Sequence, residues 1–392
     1  IRVNRRPEKR VELRLAINAG SILEDPDQRG LAHFVEHMAF NGTTRFKKQE
    51  LVDYIESIGM RFGADLNAST SFDETIFQLL VPTDSAHIVR RAFDILEDWA
   101  HGVTFDSTEV RKERGVVMEE WRLGRGAGQR MFDQQLPVLF RGSRYAERLP
   151  IGTPECLQTC PGIAVRRFYA DWYRPDLMAV VAVGDFDPKI IEALIKERFG
   201  GLTGRPAARP RELATIPPHR DPEVAIATDP EATNTTVSVY VQRPKGPEGT
   251  VGAYRTALVE SIAAGILNER LNELTQKANP PFIGAGAGPS QLVRSVEAFS
   301  FGAAVSDSGI RRGLTAVLTE LERVGRHGYT QPELDRIRAD YLRGMEQAYA
   351  ERDKSQSGGF ADEYVRNFLT GEAIPGIAHE FNRVKALLPS VT

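Results

Sequence analysis

Two histidines and a glutamate stand within five positions, His33-x-x-Glu36-His37, in the segment RGLAHFVEHMAFNG (residues 30–43), whose neighbouring side chains are mostly apolar. The chain has only seven histidines in 392 residues, so a pair this close needs a reason. On a helix, positions i and i+4 project from one face, which sets His33 and His37 side by side as a two-imidazole ligand. Neutral imidazole is a preferred zinc ligand, and a catalytic zinc takes three protein ligands and leaves one position for water. Glu36 lies beside the pair but off its line, which suits a general base for the attacking water better than a third ligand. The plainer reading is two satisfied core histidines and a surface glutamate.

A third ligand is expected to be a carboxylate on another helix. The segment KERGVVMEEWR offers Glu113, Glu119 and Glu120. Glu113 and Glu120 are seven residues apart and share a helix face, whereas Glu119 points about 100° away from Glu120. Two carboxylates on one face suit a ligand and a group that orients a ligand. The spacing alone leaves the choice open, and solvated helix charges are the ordinary fate of such residues.

The elements that position these groups follow from periodicity. Val11, Leu13, Leu15 and Ile17 alternate with other residues as a half-buried strand, and EDPDQRG breaks it. A helix is predicted from about Leu31 to Phe40, stopped by Asn41-Gly42. A second helix ends at Gly59, a strand follows over DETIFQLLVP, and a third helix is lined by Phe93, Leu96 and Trp99. FDSTEVRKERGVVMEE opens with Asp106 and Glu109 as a capping pair. LMAVVAVGDFDP is a buried strand leading into the helix PKIIEALIKERFG. Five prolines between positions 206 and 222 then mark a linker. Beyond it the order of elements returns: strands over EVAIAT and TTVSVYVQ, a long helix from VGAYRTAL, strands over FIGAGAG and RSVEAFSFGAAV, then two helices. The expected class is α+β, a tandem repeat of two similar domains, with a catalytic domain over 1–203, a linker over 204–222 and a second repeat over 223–392. No histidine occurs between His219 and His327, so the second copy is expected to be non-catalytic.

Composition removes other classes. A net charge of −3 gives no electrostatic footprint for nucleic acid, and no apolar run is long enough to span a membrane. Cys156 and Cys160 lack further ligands for a structural zinc. Their spacing permits a local bridge, but two free thiols are the favoured expectation. The chain opens in strand-like residues without an initiator Met and is expected to be a fragment of a longer precursor.

GLAHFVEHMAFNGT resembles the zinc helix of the pitrilysin family of inverzincin metallopeptidases, which includes insulin-degrading enzyme and mitochondrial processing peptidase; the motif inverts H-E-x-x-H. ERGVVMEE resembles the family's E-R-x-x-x-x-x-E helix, in which the last glutamate is the third ligand and the first supports the site. The resemblance therefore implies one Zn2+ per chain on His33, His37 and Glu120, with Glu36 as base and Glu113 in support. Glu120 stands 83 positions after His37, more than the family's usual gap; a literal count selects Glu113, the motif match Glu120. GADLNASTSFDET resembles the family's substrate-binding edge strand. Asn67 and Ala68 match its N-A pair, and Ser69 and Thr70 complete the stretch expected to hold a peptide. The likeness is strong over residues 11 to about 200 and looser beyond. It implies mostly antiparallel sheets covered by helices, half of a clamshell that a second half (further domains of the same precursor, or another subunit) closes around extended or unfolded peptide substrates. Within the family the chain looks closest to long bacterial envelope zinc peptidases, which implies the periplasm or cell envelope. The rival reading is a catalytically weak or silent peptide-binding or assembly subunit of the same fold.

Overall fold

The computed structural model describes residues 1–204 and 207–392; Arg205 and Pro206, in the expected linker, lie outside the described residues. The chain divides into two compact units, residues 1–217 with 354–372, and residues 218–353 with 373–392. It is a mixed α+β fold with two similar units.

The first unit is built on a five-stranded sheet in the order β1-β5-β2-β4-β3, comprising β1 (Arg2–Val3), β2 (Arg10–Ile17), β3 (Leu66–Thr70), β4 (Thr75–Pro82) and β5 (Met178–Gly184). β1 runs parallel to β5; every other pairing is antiparallel. Register is set by burial. Val11, Leu13, Leu15 and Ile17 on β2, and Phe77, Leu79 and Val81 on β4, all point into one core. A one-residue slip would turn each of these strands inside out. Trp99, on the helix Ala86–His101, stacks on Phe77 at 4.9 Å between ring centres and donates through Nε1 to the Ala39 carbonyl at 3.1 Å. One aromatic thus ties the helix Leu31–Phe40 to the sheet.

The other face of this sheet is covered from far along the chain. Ala361 and Val365, on the helix Ser357–Thr370, pack on Ala16, Val181 and Val183. The sequence reading had assigned all of 223–392 to the second domain. The helix belongs to the first because β5 (MAVVAVG) is apolar on both faces and, with Ala16 and Ile76 beside it, needs a cover on the second face too. Residues up to Pro217 also stay with the first unit, where Arg209 pairs with Asp25 at 2.9 Å and Arg211 with Asp73 at 3.2 Å.

The second unit repeats the order strand, helix, hairpin, two helices. Its sheet, β6-β8-β7, contains β6 (Thr235–Pro244), β7 (Gly284–Val293) and β8 (Val296–Val305). The helices Val251–Thr275 and Ile310–His327 cover it, with Leu267, Leu271, Phe301, Val305 and Val317 in the core. Residues 223–228, expected as a strand, lie outside both sheets, with Val224 and Ile226 exposed. Alternation makes a strand only where a neighbouring strand supplies the ladder.

Candidate metal centre

His33 and His37 stand one turn apart on the helix Leu31–Phe40. That helix starts at Gly30, in the left-handed region at φ +95°, which offers no side chain to cap it. The cap comes from six residues upstream. The buried Glu24 carboxylate accepts from the Gly30 amide at 3.0 Å and the Ala32 amide at 2.8 Å. Burial pushes the Glu24 carboxyl up to about 8, against the pull of those amides and of Arg148 and Arg144. Gly30 also lies against Gly152, where a Cβ on either residue would meet the other's Cα within 2.7 Å, so both must be glycine.

The second supporting helix, Ser107–Leu123, is capped by Asp106, which accepts from the Thr108 amide at 2.8 Å and the Glu109 amide at 3.2 Å. Arg114 anchors it by donating to the carbonyls of Gln158 and Cys160. Cys156 and Cys160 are joined as a disulfide, which corrects the expectation of two thiols. Cys160 turns out of the short helix Pro154–Thr159 as its C-terminal cap. Its Cα thereby comes within 4.9 Å of that of Cys156, inside bridging range.

These two helices bring the donors together. The Nε2 atoms of His33 and His37 are 3.2 Å apart; Glu120 places Oε2 3.2 Å from His37 Nε2 and Oε1 3.7 Å from His33 Nε2. A tetrahedral zinc with bonds near 2.0–2.1 Å has ligand-to-ligand edges of about 3.3–3.4 Å, so the three donor atoms form a cage of zinc size. Among the described residues it is the one cluster of three or more His, Cys, Asp or Glu side chains suited to a metal ion. Glu113, two turns before Glu120, accepts from His37 Nδ1 at 2.8 Å, which leaves the Nε2 lone pair facing the cage. Glu119 turns away and pairs with Arg122 at 2.5 Å.

The electrostatics of the metal-free chain follow from these contacts. Burial, aided by His37, pushes His33 down to about 4, so it is neutral at pH 7. Burial also works against charge on His37, but its hydrogen bonds to Glu113 and Glu120 prevail and raise it to about 9. The hydrogen bond from His37 holds Glu120 below the usual carboxylate range. Burial raises Glu36, opposed by a hydrogen bond from Thr70.

Of the residues expected to hold a peptide, Asn67, Ala68, Ser69 and Thr70 lie on β3, an edge strand. Asn67 and Ser69 are exposed. Thr70 differs, because its hydroxyl donates to Glu36 Oε2 at 2.6 Å. Sequence reasoning missed this bond and the Glu24 cap. The signal for the cap was there: a helix opening on Arg29-Gly30 without Ser, Thr, Asp or Asn at its start needs a carboxylate from elsewhere.

Residues 1–129 match the family described as Insulinase (Peptidase family M16), and residues 164–341 match the Peptidase M16 inactive domain. The chain is 36% identical over its whole length to a Zinc protease PQQL-like protein of Arabidopsis thaliana, and 32% identical over 88% of its length to Probable zinc protease PqqL of Escherichia coli. It spans 38% of each relative's length. Its fold matches the crystal structure of the first half of the periplasmic protease PqqL from Escherichia coli, with a TM-score of 0.89, 28% identity, all of this chain covered and 83% of the other. Against PqqL itself the TM-score is 0.91, at 28% identity, covering 98% of this chain and 43% of the other. Through these two domains the chain belongs to the insulinase- and pitrilysin-like peptidase family M16, close to the PqqL-like zinc proteases.

Proposed function

We propose that the chain is the zinc-bearing half of a metalloendopeptidase that hydrolyses peptide bonds in extended or unfolded peptides, with one zinc on His33, His37 and Glu120. The observation that carries this reading is the zinc-sized spacing of three donor atoms, with Glu113 engaging the remaining nitrogen of His37. When bound, zinc supplies a Lewis acid for the scissile carbonyl and acidifies the attacking water. Glu113 fixes the His37 ring, and Glu120 balances the charge on the imidazoles. Glu36 is the base: Thr70 occupies Oε2, leaving Oε1 to take the water proton and pass it to the leaving nitrogen as the C–N bond breaks. The peptide adds as a strand to the outer edge of β3, and main-chain hydrogen bonds over Asn67 to Thr70 hold it regardless of its sequence.

A chain of this span is proposed to need a second half to exclude water from the site. The periplasm or cell envelope suits both the resemblance and the Cys156–Cys160 disulfide, which belongs to an oxidising compartment. A silent assembly subunit is the lesser reading, since it has no need of an intact His33, Glu36 and His37. Turnover of an extended fluorogenic peptide decides between the two. Weak, zinc-dependent cleavage by the chain alone, strengthened by the C-terminal half and abolished in Glu36→Gln, is the expected result. No cleavage with or without that half, by protein carrying full zinc, refutes the peptidase reading.

A further inference from the structure

The side chain of Thr70 is on the candidate docking strand, but it faces the base. Its hydroxyl lies 2.6 Å from Glu36 Oε2 and 3.3 Å from the Thr75 hydroxyl, and Thr75 donates to the Ala19 carbonyl at 3.0 Å. With the Thr75 hydrogen spent on Ala19, Glu36 is the one strong acceptor left for Thr70. Thr75 lies directly opposite Thr70 across the β3–β4 pair and is fully buried, so the hydroxyl geometry is fixed by the sheet. Glu36 is itself buried, and its carboxylate could otherwise turn about its last torsion, which is broad in glutamate.

We propose that Thr70 is a positioning residue that locks the Glu36 carboxylate through Oε2, so that the strand that docks the peptide also aims the base. This rests on Glu36 being the base. It assigns the Thr70 side chain away from the peptide, whose contacts on β3 are then main-chain bonds and the outward Asn67 and Ser69. The register of the peptide on β3 and the direction of Oε1 are thereby set by the same five-residue strand.

The test compares Thr70→Val, which keeps the shape and removes the donor, with Thr70→Ser, which keeps the donor. Both are made in the zinc-loaded chain together with its C-terminal half. Loss of a hydrogen bond to a buried charged group predicts a fall in kcat of roughly ten- to a hundredfold for Thr70→Val. KM stays within about twofold, zinc content is unchanged, and Thr70→Ser recovers most of the loss. A raised KM at constant kcat makes Thr70 a peptide contact and overturns the proposal. A crystal structure of Thr70→Val reads the same question without turnover: a turned Glu36 carboxylate supports the proposal and an unmoved one overturns it. Failure of the function reading looks different, as wild-type protein carrying zinc would then show no cleavage at all.

Discussion

Zinc uptake by this chain is predicted to expel one proton, and the source is His37. In the metal-free protein His37 is raised to about 9 while its neighbour His33 is lowered to about 4. Between these values His33 already has the neutral form a metal requires, whereas His37 must lose a proton first. At pH 7 that competition weakens apparent binding by about a hundredfold relative to pH 9, or about 2.7 kcal/mol at about 1.36 kcal/mol per pKa unit. The apparent affinity should therefore rise about tenfold per pH unit from 5 to 9 and level off above it. The measurement is chelator-competition titration over that range on Glu36→Gln, which removes the other buried carboxyl beside the pair. Calorimetry in two buffers of different ionisation enthalpy counts the proton directly. Glu113→Gln should lower the pH at which the curve levels off, because the acceptor of His37 Nδ1 loses its negative charge. Affinity that is flat between pH 6 and 8 would refute the reasoning, as would release of two protons per zinc at pH 6, below the range in which a zinc-bound water ionises.

Three further outcomes follow from the same contacts. Glu120→Gln should lose most of its zinc, while Glu113→Gln weakens binding only about ten- to a hundredfold, as groups behind a ligand do; elemental analysis after dialysis separates them, and the reverse order would make Glu113 the ligand. Stability of the metal-free chain, read by urea unfolding, should decline above pH 6.5, where the folded state holds protons on both His37 and Glu24 that the unfolded state has lost. His33 has a lowered folded pKa and its contribution is lost as pH falls from 6.5 towards 4. His37 has a raised one and its contribution is lost as pH rises from 6.5 towards 9, each by up to about 3 kcal/mol. His37→Gln should make that decline shallower, leaving the part due to Glu24, which ends near pH 8. Thiol titration of denatured protein should find no free thiol before reduction and two after, since Cys156 and Cys160 are bridged.

The parts of the centre that could be read from sequence were those fixed by helical period alone. His33 with His37, and Glu113 with Glu120, are separated by whole turns, so their shared faces follow from spacing, whatever packs around them. The strand alternation of Val11 to Ile17 and of Thr75 to Val81 was legible for the same reason. What stayed hidden depends on a partner remote in sequence or on a choice of rotamer. Glu24 caps a helix across a loop, the helix Ser357–Thr370 returns to cover the first sheet, and Thr70 turns towards Glu36.

The two units also show how one repeat can keep an edge for a peptide while the other closes it. β3 and β7 hold the same place, each the edge strand of its hairpin, and each receives a polar side chain from an earlier helix, Leu31–Phe40 for β3 and Val251–Thr275 for β7. On β3 the contact from that helix is Glu36 reaching Thr70, a side chain, and the Ala68 amide is met by Asn67 Oδ1 at 2.9 Å, a bond within the strand that a guest would displace. On β7 it is Asn268, whose amide donates to the Ala287 carbonyl at 2.9 Å and accepts from the Ala287 amide at 2.8 Å. That pair fills the main-chain positions a peptide strand would use, at Ala287 within GAGAG (284–288), where the absence of large side chains lets the helix lie close. A helix that spends a polar side chain on the strand's backbone seals the edge; one that spends it on another side chain leaves the edge open. If β3 docks a peptide as proposed, docking in the first repeat and support in the second follow from one residue's choice of partner on each helix.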